Sequence, residues 1–383
     1  MTNIFIFNPD NDLALANFSP NYTAPHNAVA LAEAGALLPF FHCNDGDMVI
    51  ANHLYQQKLN ELRRMFNLRG ELFTAPSTLN VNIRPWGWSP ALLARLKRLG
   101  ISSPQLDDTV TLDNIRGLSH RRHTIAINQS LATNGVPVPP LPVEIFSIDE
   151  VDFDNLSQNP VMMKAPWSSS GRGVLASDAF SACQFRDQMK GMIKRQGSVM
   201  IEKKLERMAD FAMLFEHHNG TTRFRGLSMF ESASTGEYIG NLVAPQTYLV
   251  DRLCQYGCSA RRLNSIQEAM RKALSSMLAN NYNGPLGVDM MIYRNNDGST
   301  AIAPCIEINL RMTMGFVALN LAENFLANES TGLLKVINSG TDYVDHSPSM
   351  PVIENYKLKE GGVSLSPPQS GFQFYFSAEK RRN

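Results

Sequence analysis

The sequence predicts an α/β protein, built on a parallel sheet in its N-terminal part and turning α+β in its C-terminal half. Three observations predict it. Up to Gly100, short apolar runs alternate with helical stretches, the pattern of a parallel sheet. Beyond Val161, apolar runs are joined across turn signals, Asn219-Gly220 and Asn296-Asp297-Gly298, as hairpins are. At 383 residues with 44% hydrophobic positions, the chain can bury cores for two or three domains.

Taken in order, "NIFIF" reads as a buried strand and "NAVALAEAGALL" as a helix with an apolar stripe. "DMVIAN", a polar helix over Tyr55 to Phe66, and "ELFTA" continue the alternation. "SPALLARLKRLGIS" has Ser89 to cap a helix, Pro90 in its first turn and Gly100 to stop it. These elements place a first α/β domain at residues 1–114. A second unit opens with "HRRHTIAINQSLATNG", a helix ended by Gly135 and followed by a proline-rich extended stretch. The strand "PVMMKAP", a glycine loop, a helix from Ala179 to Arg195 and the strand "SVMIEKKL" come next. In "SARRLNSIQEAMRKALSSMLANN", Leu263, Ile266, Met270, Leu274 and Met277 fall at helical spacing and are expected in the core. From Asn338 the composition shifts to Gly, Ser and Pro, and the segment 338–383 is left as a tail with one candidate strand.

Lys+Arg and Asp+Glu both number 35, so no net field favours nucleic acid or an acidic membrane surface. The first apolar run stops at Asn8-Pro9 with no basic residue before it, and the five cysteines are scattered; a cytoplasmic protein is expected.

"KAPWSSSGRGV" contains G-x-G-x-x-A at Gly171, Gly173 and Ala176. Pro166 and bulky residues separate it from the preceding strand, and strand-like "GVLAS" follows, which argues against a dinucleotide turn. A glycine-rich hairpin fits better: free backbone N–H groups fold over a polyphosphate while Lys164 reaches its oxygens. A plain surface hairpin explains the same residues.

"GPLGVDMMIYRNNDGSTAIAPCIEINLRMTMG" is a second hairpin. A three-residue loop sets Asn295 opposite Ser299 and Asp289 opposite Cys305, on one face with Glu307 and Asn309. Two carboxylates and an amide on an apolar hairpin are costly unless a hard, oxygen-seeking cation lies between them, and magnesium suits. The competing reading is a solvated outer face.

In this order and spacing, the lysine strand with its glycine loop, the strand "VMIEKKLERMADFAM" and the terminal "GVDMM…IEINLRMTMG" resemble the ATP-grasp superfamily over residues 120–327. The resemblance implies two subdomains, 115–200 with the lysine and glycine loop and 201–337 with the metal site, clasping ATP behind a preceding α/β domain. It implies that Lys164 meets the phosphates and that Ser168, Ser169, Ser170, Gly171, Arg172 and Gly173 form a lid. Glu202, Lys203 and Leu205 would line the adenine hinge, with Asp210 on the ribose. Asp289, Glu307 and Asn309 match the magnesium ligands, and Arg311 matches a basic residue that holds a transferring phosphate or a carboxylate. Where many members carry a second phosphate lysine, this chain has Arg121 and Arg122.

The activity implied is ATP- and magnesium-dependent joining of a carboxylate to an amine through an acyl phosphate, with Arg311 and Lys164 catalytic. Small-molecule substrates are the expected partners, neither nucleic acid nor membrane, and a homodimer is left open. A kinase on the same fold and a non-catalytic ATP sensor are the alternatives. For the substrate, "NPDNDLALANFSPNY" offers Asn8, Asp10, Asn11 and Asp12 at the carboxyl edge of the first strand. A capped turn explains these four equally. Trp86 and Trp88 are expected to pack between domains, with a pocket wall as the alternative, and His217 and His218 to face solvent beside their turn.

Overall fold

A computed structural model describes residues 2–74, 81–101, 109–153, 155–157, 159–168, 173–233, 238–338, 350–368 and 370–381. The chain opens with β1 (Thr2–Ile6), α1 (Asn11–Asn17), α2 (His26–Ala34), β2 (Met48–Val49), α3 (Gln56–Phe66), β3 (Glu71–Leu72), β4 (Val81–Pro85) and α4 (Pro90–Arg98). Its four strands form a sheet in the order β3-β2-β1-β4, every pair parallel. The alternation read from the sequence builds this sheet. β4, which the sequence reading passed over, hides behind polar Asn82 and Arg84, while Val81 and Ile83 face the core. Ser89 caps α4, its hydroxyl accepting from the Leu92 amide at 3.3 Å, and the helix buries Leu92, Leu93 and Leu96 against Ile4, Ile6 and Ile83.

Two helices follow, α5 (Thr109–Leu118) and α6 (His123–Thr133), and the junction placed at residue 114 falls inside α5. β5 (Val143–Ile145), β6 (Val161–Lys164), β7 (Val174–Ala176) and, after α7 (Ala182–Gln196), β8 (Val199–Lys203) form a small antiparallel sheet, order β5-β8-β6-β7. α7 starts three residues later than the sequence suggested. Ser181 and Gln184 make a reciprocal capping box, which sets the first turn there, and Gly197 in left-handed conformation closes the last.

The remaining strands share one nine-stranded antiparallel sheet. They are β9 (Glu206–His218), β10 (Thr221–Ser232) and β11 (Tyr238–Val243); then, after α8 (Gln246–Gln255) and α9 (Ala260–Leu278), β12 (Gly284–Arg294) and β13 (Thr300–Asn309). After α10 (Met314–Asn324) come β14 (Ser330–Asn338), β15 (Val352–Glu354), β16 (Lys357–Ser364) and β17 (Phe372–Lys380). The order is β13-β12-β9-β10-β11-β14-β17-β16-β15. The segment left as a tail therefore supplies three strands, and β17 pairs with β14 along its whole length. Asn219 and Gly220 both take positive φ in the β9–β10 turn, as a two-residue hairpin requires. Leu263, Ile266, Met270 and Leu274 of α9 are buried in the core as their spacing predicted, and Met277 packs against it.

Two expectations are corrected here. The β12–β13 loop is the three-residue one expected, with the Asn295 amide donating to Ser299 O at 2.8 Å. Beyond Met291 and Ala303, however, the register jumps, and Asp289 stands opposite Glu307 rather than Cys305. Pro304 has no N–H for the ladder, and β13 bulges there. A jump of two keeps every side chain on its face, so Asp289, Glu307 and Asn309 still share one. His217 does not face solvent. It is 1% exposed, with Nδ1 2.7 Å from Thr222 Oγ1 and Nε2 2.7 Å from Ala279 O, because the end of α9 packs over its strand.

One core joins the two ends of the chain. Phe7, Leu59, Leu62 and Phe66 from the N-terminal unit pack with α10 and with Phe374 and Phe376 of β17. Each such ring out of water contributes about 1.5–3 kcal/mol.

Candidate active site

The hairpin brings the expected oxygen ligands Asp289, Glu307 and Asn309 together. Asp289 and Glu307 are cross-strand partners, and Asn309 Nδ2 donates to Asp289 Oδ2 at 3.1 Å. Like charges directly opposite destabilise one another. Burial first, and then the charge of Glu307, pushes the Asp289 carboxyl up to about 7, although Arg311 and the Asn309 amide pull it down. Glu307 goes the other way. Burial works against its charge, but the Arg121 guanidinium, with Lys164 and Arg311 behind it, holds its carboxyl below the ordinary value. Two carboxylates and an amide are a hard donor set, and a pair forced together until one member holds a proton near neutrality fits a magnesium ion completed by phosphate oxygens.

The cations come from elsewhere in the fold. Lys164 ends β6 and is 7% exposed; its Nζ is ion-paired with Glu202, which sits diagonally across on β8. Arg121 lies in the turn before α6. Its Nη2 reaches Glu307 Oε1 at 2.6 Å, and its Nη1 donates to Ser168 Oγ and Ala165 O, both at 2.7 Å. One residue ties Ser168, the end of the lysine strand and the hairpin together. Of the two arginines expected to replace a lysine, only Arg121 does this; Arg122 is half exposed and bonds Glu144 Oε1 at 2.7 Å.

Gly173 closes the β6–β7 loop with φ of +78°, and its carbonyl accepts from the Ala165 amide at 2.8 Å. A Cβ there would lie 3.1 Å from that of Ala165, so glycine is needed at this end of the loop. Ser169, Ser170, Gly171 and Arg172 lie outside the described residues.

Arg311 is held by the N-terminal unit. Its Nε donates to both Asp12 oxygens at 2.9 and 3.0 Å, and its Nη2 to Asp12 Oδ2 at 2.6 Å and Asn309 Oδ1 at 3.0 Å. Nη1 takes Met312 O at 3.1 Å. Burial opposes its charge, yet Asp12, joined by Glu307 and Asp289, more than offsets this and raises its pKa. One of its five N–H groups is left without a partner among the described residues. Arg311 is thus chiefly a clasp between α1 and the hairpin.

The other expected residues divide. Asn8 spends its amide on backbone, donating to Gly87 O at 2.8 Å and accepting from the Trp86 amide at 3.0 Å. Asn11 is 1% exposed, and among the described residues neither of its amide atoms has a partner; it lines a crevice of about 10 Å³ with Asp12, Ser168, Glu307 and Asn309. Asp10 precedes α1 but makes no cap. Asp210, on β9, is bonded to Arg207 at 3.0 Å; burial raises its carboxyl, while Arg207 and Lys164 pull it down. Lys203 is exposed at the end of β8, and Leu205 is half-buried in the link to β9.

A cavity of about 580 Å³ joins most of these groups, with Arg121, Lys164, Ser168, Asp289, Glu307 and Arg311 in its lining. Glu202 reaches it only through Lys164; Lys203, Leu205 and Asp210 do not line it. The sequence reading missed the opposite wall, where Val336, Phe372 and Phe374 stand on β14 and β17. The one signal for it is the two-residue period of "FQFYF", which sets Phe372, Phe374 and Phe376 on one face.

No protein-family model matches the sequence, and a search of curated proteins finds no match. Solved structures do match. The whole chain aligns with 36% of the Rhizobium etli pyruvate carboxylase T882A chain, solved with the allosteric activator acetyl coenzyme-A, at 13% identity and a TM-score of 0.51. It aligns over 100% of its length with 88% of the biotin carboxylase of Campylobacter jejuni, in a beta-gamma-ATP complex, at 10% identity and a TM-score of 0.49. A phosphoribosylamine–glycine ligase from Thermotoga maritima aligns over 99% of this chain and 93% of its own, at 10% identity and 0.49. At such identities the likeness concerns the fold alone. The chain shares with the pyruvate carboxylase segment a mixed α/β fold, here a parallel N-terminal sheet followed by antiparallel sheets.

Proposed function

We propose that this protein is an ATP- and magnesium-dependent ligase that joins a carboxylate to an amine through an acyl phosphate, releasing ADP and phosphate. The observation that carries the reading is convergence: Lys164 from one sheet, Arg121 from a helix turn and the Asp289–Glu307–Asn309 set from the other sheet meet in one cavity. Phosphoryl transfer asks for positioning and charge neutralisation more than for a covalent nucleophile, and no serine or cysteine nucleophile with a base is required.

In the first half-reaction a carboxylate oxygen attacks the γ-phosphorus of ATP and ADP leaves. Lys164 and Arg121 neutralise the charge spread over the phosphate oxygens, Arg121 exchanging its Glu307 partner for them. Magnesium held by Asp289, Glu307 and Asn309 would supply further charge neutralisation on the phosphates. Arg311, braced by Asp12, keeps Asn309 in place and turns its remaining N–H to substrate. In the second half-reaction the amine attacks the acyl carbon and phosphate departs. Ser168, bonded to Arg121, adds a hydroxyl to the wall of the site.

The test is phosphate release by the purified chain with ATP, magnesium and a panel of carboxylic acids and amines. Release that depends on both substrates supports a ligase. ADP formed without free phosphate, alongside a stable phosphorylated acid or alcohol, would identify a kinase, and nucleotide binding without turnover across a broad panel a sensor.

A further inference from the structure

The cavity reaches well past its phosphate end. Its floor is the large sheet, in which β12, β9, β10, β11, β14 and β17 each give a lining residue, from Asp289 at one end to Phe372 at the other. Arg121 and Lys164 both act on Glu307 of β13, so the cations and the metal-type ligands share the first end. The other end is apolar, walled by Phe7, Leu31, Trp86, Val336 and Phe372. That wall is already packed: Phe7 meets Trp86 edge-on at 4.8 Å and Phe374 at 5.9 Å.

Arg311 lies where the two ends meet. On one side its Nη2 donates to Asn309 Oδ1 at 3.0 Å, and Asn309 Nδ2 donates to Asp289 at 3.1 Å. On the other side the next residue, Met312, donates its amide to Trp86 O at 2.8 Å, so the apolar wall begins one residue from the guanidinium's own backbone. Thr313 makes no side-chain cap for α10, whose first turn, Met314 and Gly315, also lines the cavity and favours an anion there. A carboxylate taken by the remaining N–H of Arg311 is therefore beside the metal set, with hydrocarbon-lined volume next to it. Little in that volume asks for a polar tail. In the middle of the floor Asn241 donates to Ser228 Oγ at 2.6 Å and Met229 O at 3.2 Å and accepts from the Tyr238 hydroxyl, so its amide is spent. Asp10 is the one charge in the lining outside the polar end, and the charges acting on it are Arg95 and Asp12, not Arg121 or Lys164.

Building on the ligase reading, we infer that the acid activated here carries an uncharged hydrocarbon tail, its carboxylate held by Arg311 and its tail running along Trp86, Phe7 and Leu31 toward Val336 and Phe372. Burial of the tail supplies the binding free energy. A short acid leaves the chamber unfilled, and an acid charged at both ends sets a carboxylate against hydrocarbon.

The experiment is calorimetric titration of the full chain with butyrate, hexanoate, octanoate and decanoate, with octylamine and with octanedioate, for the wild type and for Val336→Trp. Thermal melting and ADP binding are the fold controls, and phosphate release is measured in parallel. In the wild type, affinity should rise about threefold to fourfold for each added methylene until the chamber is full. Octylamine and octanedioate should each bind at least about tenfold more weakly than octanoate. Val336→Trp should weaken decanoate at least about tenfold while butyrate and ADP bind as before. Affinity that is flat from butyrate to decanoate, octylamine or octanedioate matching octanoate, or equal decanoate affinity in the two proteins overturns the inference; should Val336→Trp fail to fold, the wild-type series decides. If the inference fails and phosphate is released with a polar acid and an amine, the ligase reading survives. If the acids bind as expected but none of them releases phosphate with any amine, the chamber stands and the ligase reading falls.

Discussion

The two ends of the cavity are built in different ways. At the polar end, Asp289, Glu307, Asn309 and Arg311 lie within 23 residues of one another on a hairpin and its exit. At the apolar end, Phe7, Trp86 and Phe374 come from opposite ends of the chain and meet only because β17 docks on the N-terminal unit. The first end is a motif, set by strand register. The second is a packing outcome, and Asp12 with Arg311 is the bond that joins them.

Breaking that bond has the largest expected effect. Asp12→Ala leaves the buried guanidinium of Arg311 without its bidentate partner, a loss of about 3–5 kcal/mol in unfolding free energy by urea titration. Asp12→Asn, which keeps an acceptor, should lose clearly less. Equal, small losses for both would show that the two ends do not depend on this contact.

Glu307→Gln tests the polar end alone. Turnover should fall on the order of 10²–10³-fold while ADP still binds, with thermal stability close to wild type. A Glu307→Gln protein with full phosphate release would remove the metal role.

A smaller effect follows from Asp289. Its carboxyl sits at about 7, raised from 3.8 by burial first and by Glu307 second. For the metal-free protein this group stabilises the fold below about 4, and that contribution is lost as pH rises through 7. Magnesium bound as proposed would displace this proton, so its apparent affinity should be full above 7 and fall about tenfold per pH unit below it. Titration followed by thermal shift between pH 5.5 and about 8.5 checks the sign. Affinity independent of pH would place the ion elsewhere.

The smallest effect is a control lying in neither end. Ser181→Ala removes the capping box of α7 and should cost about 1 kcal/mol in stability, with substrate-dependent turnover unchanged.

The polar end was largely legible because its information is local. The two-residue period of a strand sets which side chains share a face, and a shift of two at Pro304 moved the partner of Asp289 without moving its face. Arg121 and Arg122 were not separable in this way. They are neighbours in a turn, and only the approach of Pro166, whose carbonyl accepts the Arg121 amide at 3.2 Å, directs one to the site and the other to Glu144. Asp12 was read as a substrate or turn residue because its partner lies 299 positions away.

By itself, the sequence determined the strand–helix alternation of the N-terminal sheet apart from β4, the cap of α4, the turns of the two hairpins, and the alignment of Asp289, Glu307 and Asn309 on one hairpin face. These follow from backbone periodicity and short-range hydrogen bonding. Only the tertiary structure decided which arginine enters the site, that Asp12 braces Arg311, and that the C-terminal strands wall the cavity. Those outcomes depend on which distant apolar surfaces are buried together, and hydrophobic burial carries no direction along the chain.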